Sequence, residues 1–214
     1  MKFFIIAVCL AAVSIAWCFF SRRHSTPCST GLSWLIERDN PFSTIHRAAT
    51  IVENARIQPN LTVLDAGCGP GRITIPAAFK VGSLGKIVAM DIQAGMLSQT
   101  QRKAQAANLT NISFFHAGLG EKKLEQETFD RVLLVTVLGE IPDREAALKE
   151  IFGALKPNGI LSVTEIISDT DFQRRATVVQ LANKAGFREI ERFGNCFAFT
   201  INFEKIQLDS SQKF

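Results

Sequence analysis

The chain has 214 residues, of which 47% are hydrophobic and 21% charged, and this composition predicts one globular domain with at most a short appendage. The formal net charge of +4 is small and scattered along the chain, so a nucleic-acid partner is not expected. The five cysteines show no zinc-ligand spacing and the three histidines are far apart, so we expect no metal site.

The first segment of the chain is an apolar run without a charge, which covers residues 3–20. As a helix with a rise of about 1.5 Å per residue it reaches ~27 Å, which is long enough to cross the hydrocarbon core of a bilayer. A cleaved signal peptide is the alternative, with Lys2 as its basic start and a weak cleavage site at residues 14–16. The run continues past that site and Arg-Arg-His follows at residues 22–24, so the pattern favours a membrane anchor at residues 1–24. The positive-inside rule then predicts that the rest of the chain faces the cytoplasm.

A connector follows the predicted anchor. We interpret residues 25–48 as a connector that enters a short helix and forms a lid. Its hydrophobic stretch at residues 32–36 can rest on the bilayer, close over a site, or pack on the domain in the ordinary way. The globular domain is expected at residues 49–205, and a short tail at residues 206–214.

From about residue 41 onward, short runs rich in β-branched and aromatic residues alternate with helical patterns. This alternation predicts an α/β fold with a mostly parallel sheet and helices on both faces. Strands are predicted at residues 62–65, 86–91, 112–117, 129–135, 160–165, 187–192 and 197–203. Helices are predicted at residues 43–55, 72–80, 96–108, 144–155 and 172–185.

Local signals mark several ends of these elements. Asp143 follows a proline and is expected to be the N-cap of the fourth helix. Pro-Asn-Gly at residues 157–159 predicts a turn before the fifth strand. The last two strands are joined by only four residues, 193–196, too few for a crossover helix, so they must form an antiparallel hairpin.

The most informative stretch is Val-Leu-Asp-Ala-Gly-Cys-Gly-Pro-Gly-Arg at residues 63–72, where a predicted strand ends in a glycine-rich turn that opens a helix. Such a turn exposes backbone N–H groups to a ligand at a topological switch point. Gly67, Gly69 and Gly71 remove side chains that would block a close approach, and they permit positive φ angles. The glycine pattern alone is weak evidence, because many turns are rich in glycine.

Two aspartates make this loop more specific. Asp65 precedes the first glycine by two residues, and a carboxylate there would repel the pyrophosphate of a dinucleotide but attract a sulfonium or ammonium group. Asp91 ends the next predicted strand 20 residues after Gly71, where an acid can accept hydrogen bonds from both hydroxyls of a ribose. Together they predict a cofactor that joins a ribose to a positively charged group.

The pattern Asp-x-Gly-x-Gly-x-Gly, the acid closing the second strand, the Leu-Lys-Pro-Asn-Gly turn and the terminal hairpin resemble the class I S-adenosylmethionine-dependent methyltransferases over roughly residues 49–205. The resemblance extends to the small-molecule branch that includes quinone- and sterol-type enzymes. It implies a Rossmann-like, seven-stranded, mostly parallel sheet with a C-terminal antiparallel hairpin, here preceded by the predicted transmembrane helix. It also implies S-adenosylmethionine as cofactor, a catalytic domain on the cytoplasmic side, and methyl transfer to a small-molecule or lipid-like acceptor.

The resemblance assigns roles to individual positions. It implies that Asp65, Gly67 and Gly69 line the methionine end of the cofactor. Asp91 would hold the ribose.

The residues expected at the adenine end of the cofactor depart from the usual pattern of the family. Ile92 and Met96 would flank the ring. Family members usually have an acid after the glycine that ends the third strand, but this chain has Gly118 and Leu119 there, so backbone contacts are expected. Cys68 is expected to pack in the loop and not to act as a nucleophile, because nothing adjacent in sequence would lower its pKa. The residues predicted to line the cofactor are Asp65, Gly67, Cys68, Gly69, Gly71, Asp91, Ile92, Met96, Gly118, Leu119 and Thr136.

Catalysis of methyl transfer from a sulfonium rests mainly on positioning and desolvation, and alignment can contribute about 7–11 kcal/mol. A hydroxyl or thiol acceptor also needs a base. No catalytic residue is assigned, and the candidate bases are Glu140, His46 and Glu37. The region after the fourth strand lacks the (Asp/Asn)-Pro-Pro-(Tyr/Phe) motif of enzymes that methylate exocyclic amines of nucleic-acid bases. The substrate pocket is expected to be roofed by residues 32–46, where the membrane connector meets the domain, so we expect an apolar acceptor delivered from the bilayer.

Two other functions are compatible with the same pattern. A nicotinamide-dependent oxidoreductase would use the same type of fold with a different cofactor. A non-catalytic module would keep the S-adenosylmethionine pocket without transferring a methyl group.

Overall fold

The structure, a computed structural model, describes residues 44–205. The predicted anchor at residues 1–24, most of the predicted connector and lid, Glu37 and the tail at residues 206–214 lie outside the described residues. Between residues 44 and 205, no helix combines the length and apolarity needed to cross a membrane.

The described residues form five helices and seven strands. The helices are α1 (Ala48–Asn54), α2 (Thr74–Val81), α3 (Ala94–Ala106), α4 (Arg144–Ala154) and α5 (Arg175–Lys184). The strands are β1 (Thr62–Ala66), β2 (Lys86–Asp91), β3 (Ile112–His116), β4 (Phe129–Val135), β5 (Leu155–Ile166), β6 (Phe187–Gly194) and β7 (Ala198–Lys205). Each predicted helix and strand is therefore present, with ends that differ by a few residues.

The seven strands form one sheet in the order β3-β2-β1-β4-β5-β7-β6. Strands β1 to β5 pair in parallel, whereas β7 runs antiparallel to both β5 and β6. The hairpin turn between β6 and β7 is closed by Asn195, whose side-chain oxygen accepts hydrogen bonds from the backbone N–H groups of Phe197 and Ala198. The predicted α/β sheet with a terminal antiparallel hairpin is confirmed.

Two boundaries differ from the sequence prediction for local reasons. Helix α1 begins at Ala48 and not at residue 43, because Arg47 has an extended backbone (ψ 138°) that cannot continue a helix towards the N-terminus. The Pro-Asn-Gly turn does not precede β5 but lies within it as a bulge, where the pairing with β4 shifts between Phe129 and Arg131. Asn158 adopts a positive φ of 63° at this bulge.

Helices cover both faces of the sheet. Alternate residues of a strand point to opposite faces, and the core is accordingly divided in two. Val63 and Leu133 pack with α1 and α2, whereas Leu64 and Leu134 pack with α4 and α5. The central strands are buried on both sides, which explains their nearly continuous runs of apolar residues.

The chain reverses its direction of travel across the sheet at β1. From β1 it proceeds outward through β2 and β3, and it then returns to place β4 on the other side of β1. The loops that leave the carboxyl ends of β1 and β4 therefore diverge and open a crevice, the usual ligand position in open α/β sheets.

Candidate active site

A cavity of about 480 Å³ occupies this crevice. Its walls come from the segments that follow β1, β2, β3 and β4. Its size lies within the range of about 300–1,000 Å³ that is typical of small-molecule sites. All of the residues predicted to line the cofactor are in these walls except Gly71.

The glycine-rich loop is held against β2 by its own backbone. The N–H groups of Gly67 and Cys68 both donate to the carbonyl oxygen of Met90, at 2.8 and 2.9 Å. Gly67 has a φ of 72°, and a Cβ atom there would lie 2.5 Å from a methyl group of Val137, so no larger residue fits. A Cβ atom on Gly69 would meet no other atom within 4 Å, because this residue faces the open cavity.

Gly71 has a different role from the predicted one. A Cβ atom at this position would lie 2.8 Å from the side chain of Thr100 on α3. The hydroxyl of Thr100 in turn donates to the carbonyl oxygen of Gly69 at 2.9 Å. Gly71 therefore lets the loop pack on α3, and it does not contribute to the wall of the cavity.

Asp91 ties the loop to the end of β2. One carboxylate oxygen accepts the N–H of Gly69 at 2.9 Å, and the other accepts the N–H of Gln93 at 2.8 Å. Burial raises the pKa of Asp91, and these two backbone hydrogen bonds oppose that rise. Each carboxylate oxygen keeps capacity for one further hydrogen bond, so the side chain can hold the loop and a ligand at the same time.

Asp65 lies deeper than Asp91, with 2% of its surface exposed. Its carboxylate accepts a hydrogen bond of 2.6 Å from the hydroxyl of Thr74 on α2. Burial raises the pKa of Asp65 to about 6, against the opposing effects of the Thr74 hydrogen bond and the Arg72 guanidinium. This is a costly position for a carboxylate, and a cation in the cavity would stabilise it.

The charged residues in the walls of the cavity are mostly acidic. Within residues 44–205 Arg72 is the one basic residue in the walls, and its guanidinium donates to the carbonyl oxygen of His46 at 2.8 Å. The acidic residues in the walls are Asp65, Asp91, Glu121, Glu140 and Asp143. The cavity therefore favours a cationic ligand over an anionic one.

Thr136 lies where β4 leaves the sheet. It has a positive φ of 56°, which is rare for a β-branched residue. Its N–H donates to the carbonyl oxygen of Thr164 at 2.8 Å, and its hydroxyl donates to that of Val135 at 2.7 Å. Strained backbone of this kind occurs most often at functional sites.

The opposite end of the cavity contains an acid that was not predicted from the sequence. Glu121 is in the wall, and its carboxylate lies beside Gly118, where a Cβ atom would be 2.8 Å from the carboxylate oxygen. A hydrogen bond from Lys123 holds the pKa of Glu121 below its usual range. Only backbone contacts were expected at Gly118 and Leu119, whereas the turn brings the carboxylate of Glu121, three positions after Gly118, to the same place.

The three candidate bases have different positions. Glu140 is in the cavity wall. His46 is not in the wall, and its Nε2 atom lies 3.3 Å from the guanidinium of Arg72. Glu37 lies outside the described residues.

Cys68 is in the wall but is a poor nucleophile. Burial raises its pKa far above the usual range, and the nearby carboxylates of Asp65 and Asp91 raise it further. The thiol donates a weak hydrogen bond to the carbonyl oxygen of Gly69 at 3.5 Å. Within the described residues no group of His, Cys, Asp and Glu side chains is arranged to hold a metal ion.

Glu140 has an unusually basic carboxyl group. Burial raises its pKa to about 8, and the carboxylates of Asp169, Asp171 and Asp91 add to this effect. A second acid nearby, Glu165 on β5, also has a pKa raised to about 8 by burial. An acid with a pKa in this range can exchange a proton near neutral pH.

Comparisons with known proteins agree with this geometry. Residues 57–209 match the family model described as a methyltransferase domain. Demethylmenaquinone methyltransferase from Bacillus cereus (strain B4264) is 36% identical over 103 residues, which are 48% of this chain and 44% of that protein. The aligned region thus spans less than half of the curated relatives' length.

Solved structures share the fold. A SAM dependent methyltransferase from Aquifex aeolicus has a TM-score of 0.74 at 18% identity, over 84% of this chain and 100% of that one. A [4+2]-cyclase has a TM-score of 0.61 at 19% identity, over 68% of this chain and 58% of that one. At these identities the likeness shows the fold and not the chemistry. The family model covers more than half of the chain, so the protein belongs to the methyltransferase-domain family, among the class I S-adenosylmethionine-dependent methyltransferases that its sequence resembles.

Proposed function

We propose that the protein transfers the methyl group of S-adenosylmethionine to a small, apolar, quinone-like acceptor at a membrane surface. The observation that carries this proposal is the acidic cavity at the carboxyl edge of β1, β2 and β4. A donor that carries a sulfonium and an ammonium matches a cavity whose walls, as far as residues 44–205 form them, contain five acidic residues and one arginine.

The donor set of the cavity fits this cofactor in detail. The loop around Gly69 is open to the cavity and offers backbone polar groups, as the carboxylate and ammonium of a methionine moiety require. Asp91 retains hydrogen-bonding capacity suited to a ribose diol. Ile92 is half exposed and Met96 is buried, so the two side chains offer apolar surface to an adenine ring.

We assign the remaining contacts by the same criteria. Asp65, Gly67 and Cys68 would border the methionine end of the donor, and Thr136 the side towards the acceptor. The backbone of Gly118 and Leu119, together with the Glu121 carboxylate, would border the adenine. The Glu121 carboxylate accepts hydrogen bonds, which an exocyclic amine can donate.

The bound donor would supply an activated methyl group, and the protein's own residues would supply binding and alignment. The carboxylates of Asp65 and Asp91 hold the cationic end and the ribose in fixed positions. The short backbone hydrogen bonds to Met90 keep the loop rigid, so that little reorganisation is required during transfer. The apolar residues after β4, Val137 and Ile141, exclude water from the acceptor side of the cavity.

The acceptor is assigned from similarity and from the sequence. The relatives named demethylmenaquinone methyltransferase act, by that name, on a quinone precursor. The apolar run at residues 3–20 is long enough to hold the protein at a bilayer, where such molecules are dissolved. We propose that residues 1–24 anchor the protein with its catalytic domain on the cytoplasmic side. Residues 25–48 would then cover the acceptor entrance.

Calorimetric titration of the full-length protein in detergent micelles tests the cofactor. We expect S-adenosylmethionine to bind and NAD to give no heat beyond dilution, because a pyrophosphate beside Asp65 would be repelled. Binding of NAD without a response to S-adenosylmethionine would establish the oxidoreductase instead. Production of S-adenosylhomocysteine, followed by mass spectrometry over a panel of acceptors, then distinguishes an enzyme from a non-catalytic binding module.

The membrane assignment has its own test. Two versions of the protein, with and without residues 1–24, are assayed on a short-chain water-soluble naphthohydroquinone and on a long-chain one in vesicles. We expect removal of the anchor to lower turnover of the long-chain substrate and to leave that of the soluble one unchanged. Equal losses or no loss on both substrates would contradict a role of the anchor in delivering the acceptor.

A further inference from the structure

The connection between β4 and α4 presents two acidic side chains to the cavity, Glu140 and Asp143, and the Asp143 carboxylate accepts the N–H of Ala146 as the N-cap of α4. Glu140 is in the cavity wall, and its backbone N–H donates to the carbonyl oxygen of Val137 at 3.0 Å, which fixes this short turn. Among residues 44–205 the Glu140 carboxylate accepts no hydrogen bond and takes part in no ion pair. It is therefore a carboxylate that a ligand in the cavity can engage directly.

A second connection, between β5 and α5, packs directly behind this turn. A Cβ atom on Gly139 would overlap the carbonyl oxygen of Asp171, so the two backbones are in contact with no space between them. The carboxylate of Asp169 accepts the N–H of Asp171 at 2.9 Å, which fixes the local turn. Thr136, the strained residue of the cavity wall, lies close enough to Asp169 to oppose the rise that burial causes in the pKa of its carboxyl group.

The charged side chains in the described part of the chain that act on Glu140 are acidic. Arg144 at the start of α4 lies beside this turn, but its guanidinium donates to the carbonyl oxygens of Leu138 and Gly139. Glu165 is 1% exposed, and its Oε1 atom has no hydrogen-bond partner within the described part of the chain. The acidic side chains that act on Glu140 from the neighbouring elements are Asp91 from β2, Glu165 from β5, and Asp169 and Asp171 from the connection that follows β5.

We propose that Glu140 is the proton acceptor of the reaction, that Asp169 and Asp171 are positioning residues on the connection packed behind it, and that the acceptor substrate is a neutral molecule with a hydroxyl proton to lose. This rests on the proposed function. In the step, the acceptor's nucleophilic atom forms a bond to the methyl carbon while the carbon–sulfur bond breaks and its electron pair stays on sulfur. The hydroxyl proton passes to the Glu140 carboxylate, so the positive charge of the donor and the negative charge of the carboxylate disappear together.

The same charges select the substrate class. An acceptor that arrives as an anion would be repelled by the acids around Glu140. A tertiary amine has no proton to transfer, so it would gain nothing from a base at this position. A phenol or hydroquinone fits both conditions because it enters neutral and becomes a strong nucleophile once its proton is removed.

Turnover measurements on the full-length protein test the base. The acceptor is a short-chain naphthohydroquinone, and dimethylaminonaphthalene serves as the tertiary amine of similar shape. We expect Glu140→Gln to lower kcat by about 100-fold or more while the affinity for S-adenosylmethionine changes little. Glu125→Gln, an exposed glutamate away from the cavity, is the matched control and should behave as the wild type. Undiminished turnover in Glu140→Gln, or efficient methylation of the tertiary amine, would overturn the proposal.

The positioning residues have a separate readout. Asp169→Asn and Asp171→Asn each remove a negative charge beside Glu140, and the pKa of Glu140 should therefore fall. The acidic limb of the kcat/KM profile should therefore move to lower pH in both variants. A merely structural role would lower activity without moving this limb, and an unmoved limb would refute the assignment.

A binding experiment tests the proton exchange of Glu140 even if the naphthohydroquinone is not turned over. At pH 8, Asp65 is already ionised, whereas Glu140 is still partly protonated. Binding of a sulfonium in the same cavity should therefore cause Glu140 to release its proton. Calorimetry with S-adenosylmethionine in two buffers of different ionisation enthalpy measures this release. We expect it to fall in Glu140→Gln and to persist in Glu125→Gln. Equal release in Glu140→Gln and wild type would overturn the inference alone, whereas no binding to wild type would overturn the proposed function.

Discussion

Replacing Asp65 with asparagine should stabilise the protein in the absence of a donor and should weaken donor binding. Asparagine has nearly the same shape, and its carbonyl oxygen can still accept the hydrogen bond from the hydroxyl of Thr74. The substitution therefore removes one buried negative charge and little else. The two effects have opposite signs, because the charge is costly in the folded protein and useful to a cationic ligand.

The size of the stability effect follows from the pKa of the carboxyl group. Folding raises the pKa of Asp65 from its ordinary value of 3.8 to about 6. Each unit of pKa corresponds to roughly 1.4 kcal/mol, so the ionised side chain lowers the free energy of unfolding by about 3 kcal/mol. The folded state binds the proton more tightly than the unfolded state, so this cost grows as the pH rises from 3.8 to about 6 and is constant above that range. Loss of one charge-assisted interaction should lower donor affinity by about 10- to 100-fold.

Urea unfolding of both proteins at pH 7.5 and pH 4.5 measures the first effect. At pH 7.5 the asparagine variant should be more stable by up to about 3 kcal/mol, and at pH 4.5 by roughly a third of that, because the wild-type carboxyl group is then largely protonated in the folded state. Calorimetric titration with S-adenosylmethionine at pH 7.5 measures the second effect.

A variant that is equally or less stable than the wild type at pH 7.5 would refute the inferred cost of the buried charge. A stability difference of the same size at both pH values would do the same, since a change in packing does not depend on pH. Unchanged donor affinity would show that Asp65 does not serve the cationic end of the ligand.

Three further outcomes are expected. Asp91→Ala should reduce affinity for S-adenosylmethionine in calorimetry. It should also destabilise the fold by about 1–3 kcal/mol in urea unfolding, because two backbone N–H groups lose their acceptor. Retention of full affinity would contradict the ribose assignment. Gly67→Ala should cost more stability than Gly69→Ala in the same unfolding assay, because an added methyl group clashes with a neighbouring side chain only at Gly67. Gly69→Ala should chiefly weaken donor binding. Equal stability losses in the two variants would show that the loop relaxes around the methyl group. In peptide mapping after brief treatment with iodoacetamide at neutral pH, exposed Cys196 should be alkylated well before buried Cys68, and equal labelling would contradict the raised pKa of the latter.

Much of the fold could be predicted from local patterns. Each helix and strand buries one side against its neighbours in the sheet, so its apolar residues recur with the period of that element. This periodicity can be recognised within a single segment of the sequence. The hairpin at the end of the sheet followed from a connection too short for a helix. The bulge inside β5 was not predicted, because a Pro-Asn-Gly sequence looks the same whether the strand starts after it or continues through it.

The candidate site could be predicted in part, for a similar reason. The loop from Gly67 to Gly69 and the acid at Asp91 lie at the ends of neighbouring strands, so their positions follow from the topology. Gly71 and His46 were placed less well, because their contacts are with Thr100 and Arg72, partners that no local pattern identifies. Glu121 was missed because the turn after β3 folds back on itself.

The order of strands and helices along the chain, the glycine-rich loop and the acids at two strand ends could be read from contiguous residues. How acidic or basic those groups are depends on the folded protein. The pKa of Asp65 depends on its enclosure beneath the loop, and that of Glu140 depends on Asp91, Asp169 and Asp171, which approach from distant parts of the chain. Burial and the Coulomb interaction depend on distances in space, and these distances cannot be read from separations along the sequence.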